Sequence, residues 1–359
     1  MPLLRHALRL QGPEAQGPLS PVPKILIVAP NWIGDALLAQ PLFARLKKKL
    51  PGVVIDALAP GWTAPVLRRM PEIDEVIEAP FGHGELKLSA RWRLGRALRE
   101  RSYDEAIVLP NTFKSALIPF FAGIPLRAGF VGELRYGLLN LLHKLDEENL
   151  PLMAERYAQL AEKPGVPPAR PLPEIKLRID QANLLVTLSR LRLSRAKPIA
   201  AFCPGAEYGP SKRWPVRHFA ALARKLGAQG YAVWLFGSEN DRDIGEEIVA
   251  SSEGAAMNLC GKTDLTGAID LLSLAEVVVS NDSGLMHVAA GVGRPVVALY
   301  GSSSPEHTPP LSANACVVST GIECSPCYAR ECPLGHFKCM NDLAPERVLE
   351  EISAVEAGV

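Results

Sequence analysis

Glu276-Val-Val-Val-Ser280 runs straight into Asn281-Asp-Ser-Gly-Leu-Met-His287, and the reading of this junction decides the fold. The first part is short, apolar and valine-rich, the composition of a strand buried on both faces. It empties into an Asp-Ser-Gly turn, and the segment beyond is apolar and helix-like. Strand, turn and helix in that order let an open α/β sheet offer backbone N–H groups and a helix N-terminus to a phosphorylated ligand. A related junction lies near the start, where Lys24-Ile-Leu-Ile-Val-Ala-Pro30 passes into Asn31-Trp-Ile-Gly-Asp35 and a helical pattern. Two such corners, one in each half, predict two domains facing a central cleft, with a ligand held between them.

Working outward, strand and helix patterns alternate along the chain. Strands are expected over 24–30, 53–60, 75–80, 104–110 and 127–130, then over 198–204, 231–237, 255–260, 276–280, 295–301 and 316–320. Helices are expected over 36–50, with apolar positions 37, 38, 42, 46 and 50 on one stripe, and over 181–195, 216–230, 242–252, 265–275 and 283–291. Alternation of this kind means an α/β protein whose sheets are mostly parallel and covered by helices. The proline-rich stretch 162–173 is a loop near a domain border. The expected domains are 24–180 and 181–359, two doubly wound Rossmann-like units, with 1–23 a flexible N-terminal extension.

A chain of 359 residues, 48% hydrophobic and 21% charged, is long enough for two ordinary cores. Its net charge of +1 argues against a nucleic-acid binder that relies on a global basic field. The basic clusters 45–49 and 91–101 read as solvated helix faces. No apolar run approaches the roughly 20 residues needed to span a bilayer, and residues 1–23 lack the apolar centre of a secretory signal. A cytoplasmic protein is therefore expected.

Several motifs admit chemistry. Asp35 is either a helix N-cap or a general base at the carboxyl end of a strand, where open α/β sheets keep their ligands. In Pro204-Gly-Ala-Glu-Tyr-Gly-Pro-Ser-Lys-Arg-Trp-Pro215, Gly205 and Gly209 allow close backbone approach, and Lys212 with Arg213 brings positive charge to the loop tip. That combination points to phosphate binding. Asp282, Ser283 and Gly284 are either caps or a sugar- and diphosphate-binding turn, with His287 one helical turn further on. Asp241-Arg-Asp243 resembles a metal-holding Asp-x-Asp, but as the opening of a helix it reads as capping. The glycines of 256–263 and 291–296 lack the order of a phosphate loop.

Cys203, Cys260 and Cys316 fall in strand-like runs and read as inert core. The other four form Cys324-x2-Cys327-x4-Cys332-x6-Cys339, with three readings open: a structural zinc, disulfides or reduced thiols. The spacing lacks the paired Cys-x2-Cys of a firm zinc signature, and a cytoplasmic setting disfavours lasting disulfides.

Taken together, Pro30-Asn-Trp-Ile-Gly-Asp35, Leu109-Pro-Asn-Thr-Phe-Lys-Ser115, Phe120-Phe-Ala-Gly-Ile-Pro125, Gly132-Glu-Leu-Arg-Tyr-Gly-Leu-Leu-Asn140, the 203–215 stretch, Asn281–His287 and Cys324-Ser-Pro-Cys327 carry a resemblance. The chain resembles the ADP-heptose–lipopolysaccharide heptosyltransferases of glycosyltransferase family 9, which have the GT-B fold, from about residue 24 to the end. The resemblance implies transfer of L-glycero-D-manno-heptose from ADP-heptose to the first heptose of the lipopolysaccharide inner core (heptosyl-Kdo-lipid A), with inversion. No cofactor is implied for the chemistry. Asp35 would deprotonate the acceptor hydroxyl and Lys212 would neutralise the leaving diphosphate. Gly205, Glu207, Ser238, Glu239, Thr263, Asp282, Ser283, Gly284 and His287 would bind the donor, Glu239 at the ribose. Asn111, Lys114 and Arg135 would meet the anionic acceptor. The 24–180 domain would then take the acceptor and the 181–359 domain the nucleotide sugar, the latter with a Cys-rich loop over 323–340 and a C-terminal helix. Other acceptors within the family, a GT-B sugar-nucleotide epimerase and a non-catalytic binding module are the alternatives. A lipid-linked acceptor also implies peripheral contact with the cytoplasmic face of the inner membrane.

Overall fold

In both halves the apolar runs pair side by side as parallel strands, in a computed structural model that describes residues 22–82 and 84–357. One compact unit ends at Pro173 and the other begins at Glu174. The border falls before the expected 180/181 because 174–180 already packs on the second unit: Leu177 N–H donates to the Gly291 carbonyl at 2.8 Å, and Asp180 N–H to Asp270 at 2.9 Å. The N-terminal extension, apart from residues 22 and 23, lies outside the described residues.

The first unit holds strands β1 (Lys24–Val28), β2 (Val54–Pro60), β3 (Glu75–Ala79), β4 (Glu105–Val108), β5 (Leu126–Phe130) and β6 (Leu141–His143). They lie in the order β3-β2-β1-β4-β5-β6, every neighbouring pair parallel. Central β1 reads as an unbroken apolar run because both faces are covered; Leu26 and Ile27 point to opposite sides and are both fully buried. At about 1.5–3 kcal/mol for each such side chain, these inner strands dominate the core. β6 was not expected from the sequence. Its three residues sit at the sheet edge, too few to carry a periodic pattern.

The second unit holds β7 (Ile199–Cys203), β8 (Ala232–Leu235), β9 (Ala256–Asn258), β10 (Val277–Asn281), β11 (Val296–Tyr300) and β12 (Ala315–Ser319). Their order is β12-β11-β10-β7-β8-β9, again all parallel. Counted from its own first strand, each sheet runs 3-2-1-4-5-6, the order of a dinucleotide-binding fold. In that order the chain leaves the first and fourth strands toward opposite sides, opening a crevice at their carboxyl ends. The crevice lies between β1 and β4 in the first sheet and between β7 and β10 in the second.

One helix departs from expectation. The apolar stripe predicts a single helix over 36–50, but the chain forms Ile33–Leu38 and then Gln40–Lys49, broken at Ala39. Pro41 is the cause: it has no N–H to give a continuing helix and suits the first turn of a new one. Among the described residues no helix is long and apolar enough to cross a membrane.

Candidate active site

In the second unit both crevice loops carry the residues that sequence singles out. β10 is buried along its length, and its last residue, Asn281, is fully buried too. The Asn281 side chain accepts from Trp214 N–H at 3.0 Å and donates to the Pro204 carbonyl at 2.7 Å, so it pins both ends of the loop that follows β7. Trp214 anchors that loop further: its ring is buried against Phe219 and its indole N–H donates to the Leu343 carbonyl at 2.8 Å. Between these anchors a 3-10 turn, Pro210–Lys212, brings Lys212 Nζ to 2.5 Å from Asp282 Oδ2. Ser303 Oγ donates to the same oxygen, also at 2.5 Å. Asp282 is therefore not a helix cap; its carboxylate is held by a cation and a hydroxyl across the crevice.

The helix Gly284–Gly291 follows, with Ser283 at its N-cap in extended conformation and no side-chain cap bond. Its first N–H groups have no partner within the helix, which makes this end a ready anion site. His287, one turn on, is buried, and its Nδ1 has no hydrogen-bond partner among the described residues. Burial above all holds its pKa down at about 4; the Asp282 charge pulls it up and Lys212 pushes it down. At neutral pH it is a neutral imidazole against the Lys212–Asp282 pair.

Other expected donor residues have local work. Gly205 is required by packing: a Cβ there would meet the Asp241 carboxylate 2.5 Å away. That carboxylate closes a capping box, accepting Ser238 N–H at 2.9 Å and Ser238 Oγ at 2.8 Å, so Asp241 caps as expected and Ser238 is spent on it. Glu239 is exposed, pairs with Arg242 at 2.7 Å and rests on Gly261, whose φ of +71° favours glycine. Glu207 is exposed and Thr263 half-buried.

In the first unit, Asp35 follows β1 as the third residue of the helix Ile33–Leu38, half-buried, while Trp32 occupies the cap position. Asp35 therefore does not fill the N-cap position itself, although an acid in the first turn still favours the helix N-terminus. Its charge is felt by the buried Tyr157 phenol, whose pKa is raised first by burial and then by Asp35. Asn111 and Lys114 follow β4 across the crevice, Asn111 exposed and Lys114 half-buried. Arg135 differs from expectation. It is 1% exposed and donates to the carbonyls of Pro110 (2.8 Å) and Phe130 and to Asn111 Oδ1 (3.1 Å). Its guanidinium orients Asn111 and the loop, and has little left for a ligand.

The four late cysteines are all free thiols, and all line one small cavity of about 20 Å³ together with His336. Among the described residues no three His, Cys, Asp or Glu side chains form a group able to hold a metal. Cys332 has its pKa lowered, chiefly by the Phe337 N–H donating to its sulfur. Cys203 and Cys260 are buried, as expected, and burial raises both thiols.

Sequence reading missed Ser303 and gave Asn281 no role. The serine run 302–304 just after β11 was the available signal, since hydroxyls at a strand's carboxyl end are positioned for the crevice.

Two parallel sheets of one order, each with polar side chains gathered at its own switch point, are the GT-B architecture of glycosyltransferases. The chain belongs to glycosyltransferase family 9, the heptosyltransferases: the family profile matches residues 91–338. It is 46% identical over 341 residues to lipopolysaccharide heptosyltransferase 2 of Escherichia coli, covering 92% of this chain and 98% of that one. Its identity to the Salmonella typhimurium enzyme of the same name is 47%, covering 94% and 100%. The solved structure of E. coli ADP-heptose lipopolysaccharide heptosyltransferase II superposes with a TM-score of 0.84 at 44% identity, over 93% of this chain and 99% of that one.

Proposed function

We propose that this enzyme transfers L-glycero-D-manno-heptose from ADP-heptose to the first heptose of the lipopolysaccharide inner core, with inversion. The observation that carries the reading is the contact of Lys212 with Asp282 beside the helix that starts at Gly284. It gathers a cation, a carboxylate and unpaired backbone N–H groups at one switch point, the chemistry a nucleoside diphosphate sugar requires. Breaking the sugar–phosphate bond builds negative charge on departing ADP and positive charge on the sugar ring. Lys212 and the N–H groups near Ser283 and Gly284 lower the barrier by meeting that negative charge with donors already in place. Asp282 takes sugar hydroxyls, and neutral His287 lies behind it. Glu239, with Glu207 and Thr263, serves the nucleoside side.

Asp35 deprotonates the acceptor hydroxyl, a role worth typically 10²–10⁴-fold. Asn111, oriented by Arg135, and Lys114 meet the anionic Kdo and phosphate groups. The chemistry assigned to these groups asks for no metal or cofactor. A structural zinc on Cys324, Cys327, Cys332 and Cys339 forms no part of the proposal, since among the described residues no three His, Cys, Asp or Glu side chains are grouped so as to hold a metal. The acceptor is lipid-anchored, so the enzyme works in the cytoplasm in peripheral contact with the inner membrane. The exposed Leu134 and Tyr136, 82% and 66% accessible beside the Asn111 loop, support such a contact.

The test is purified enzyme with ADP-heptose and a panel of truncated core acceptors, read by product mass. One added heptose on heptosyl-Kdo-lipid A, and none on an acceptor lacking that first heptose, is expected. The reverse preference would refute the acceptor. Asp35→Asn should abolish transfer while ADP still binds; full turnover in that variant would remove Asp35 from the mechanism.

A further inference from the structure

The Cys-rich segment does more than enclose a cavity. Its residues 328–330 lie against both loops of the donor corner. Tyr328 N–H donates to the Ser302 carbonyl at 2.7 Å, and Ser211 N–H to the Arg330 carbonyl at 3.1 Å. Ser211 Oγ donates to the Ala329 carbonyl, and the Tyr208 hydroxyl to the Tyr328 carbonyl at 2.6 Å. Gly209 is what lets the segment in, because a Cβ there would collide with the Arg330 carbonyl. The backbone of 328–330 is thus fixed by hydrogen bonds that do not involve the Arg330 side chain.

That side chain stands over the corner. The Arg330 guanidinium carbon lies 5.3 Å from the centroid of the Tyr208 ring, and Lys212 Nζ lies 5.1 Å from the same centroid. One aromatic ring therefore carries two cations, each weakly attracted to it, and so sets their mutual placement. Their charges are not equally available. Lys212 is already paired with Asp282, so that couple is close to neutral as folded. Arg330 is exposed and among the described residues pairs with no carboxylate. A diphosphate brings more than one negative charge, which the Lys212–Asp282 couple alone does not balance. A guanidinium is the group whose planar fork matches phosphate oxygens two at a time.

We propose that Arg330, braced on Tyr208, is a second phosphate-binding cation of the donor site, acting on the diphosphate of the nucleotide sugar together with Lys212. The proposal rests on the nucleotide-site reading of this corner, and it gives the cysteine-rich segment a function: it delivers Arg330. Its test uses ADP and adenosine as separate probes, measured by titration calorimetry on the full chain and on Arg330→Ala and Arg330→Lys. A lost charged contact should weaken ADP about ten- to hundredfold, while adenosine, which has no phosphate, binds the variants as it binds the parent enzyme. Arg330→Lys should recover part of the ADP loss, because it keeps the charge without the fork. Unchanged ADP affinity in Arg330→Ala overturns the proposal. So does an equal loss for adenosine, which would mean that the side chain merely holds the loop. Failure of the parent enzyme to bind ADP at all would instead overturn the nucleotide-site reading on which the proposal stands.

Discussion

Lys212→Ala separates what the Lys212–Asp282 pair does for folding from what it does for transfer. The Lys212 side chain is 17% exposed and the Asp282 side chain 6%. Truncating the lysine strands a nearly buried carboxylate with Ser303 Oγ as its remaining side-chain partner among the described residues. Removing one member of a buried pair costs about 3–5 kcal/mol; because water reaches the lysine end, the low end, about 3 kcal/mol, is expected. For a unit of this size that lowers the melting temperature by about 6–12 °C. The loss of turnover has another origin. Withdrawing one preorganised donor from developing charge costs about 10²–10³ in kcat. Asp282→Asn removes the stranded charge while keeping the shape. The double variant should therefore regain most of the stability, with a coupling of about 2 kcal/mol, and none of the turnover. Thermal melts and ADP release from ADP-heptose, run on the four proteins of the cycle, measure both. Recovery of turnover together with stability would refute the argument, because Lys212 would then have only a structural part.

Further outcomes follow from other contacts. Gly95, within the helix Leu88–Leu98, has no room for a side chain: a Cβ would stand 2.6 Å from Phe121 Cβ and 2.9 Å from the Ile118 carbonyl. Gly95→Ala should gain about 1 kcal/mol of helix propensity; with backbone atoms this close, overpacking should cost toward the upper end of about 1–3 kcal/mol, leaving a net loss of up to about 2 kcal/mol by urea unfolding, and a stabilised variant would contradict this packing. His287 and His143 both have folded pKa values of about 4, lowered by burial from 6.5. The unfolded chain therefore takes up a proton at each as pH falls from about 6.5 toward 4, and the folded chain does not. Stability from these two groups is present above pH 6.5 and is lost on acidification, by up to about 1.4 kcal/mol per pH unit for each. Unfolding free energies across pH 4–7 should show a shallower slope in His143→Gln than in the parent enzyme. An unaltered slope would mean that His143 is not held neutral by its surroundings.

The fold was legible because its signals are local and repeated. Among the described residues, eleven of the twelve strands fall on the runs marked out from apolar composition and proline or glycine stops, none extending beyond its run by more than one residue. That strand–helix alternation forces parallel pairing, and parallel pairing forces the carboxyl-end crevices. What the pattern carried poorly was anything set by one residue's geometry. Pro41 breaks a helix whose apolar stripe continues across it, so periodicity alone joined the two pieces. The site divides in the same way. Lys212, Asp282 and His287 stand out in the sequence because each lies in the segment that follows a strand, and the topology brings those strand ends together: Ser280 pairs with Cys203, near the carboxyl ends of the strands from which the chain runs on to Asp282 and Lys212. Arg135 misled because type and neighbourhood are visible in a sequence while burial is not. An arginine near polar acceptor candidates reads as a cation for an anion, yet here it is spent on the carbonyls of Pro110 and Phe130 and on Asn111. Ser303 and Arg330 were invisible for the opposite reason. Ser303 lies 21 residues from the carboxylate it serves, and Arg330 reaches Tyr208 only because a glycine in the other loop leaves space for its carbonyl. Contacts made by the meeting of two loops depend on both at once, so each loop alone contains half of the instruction.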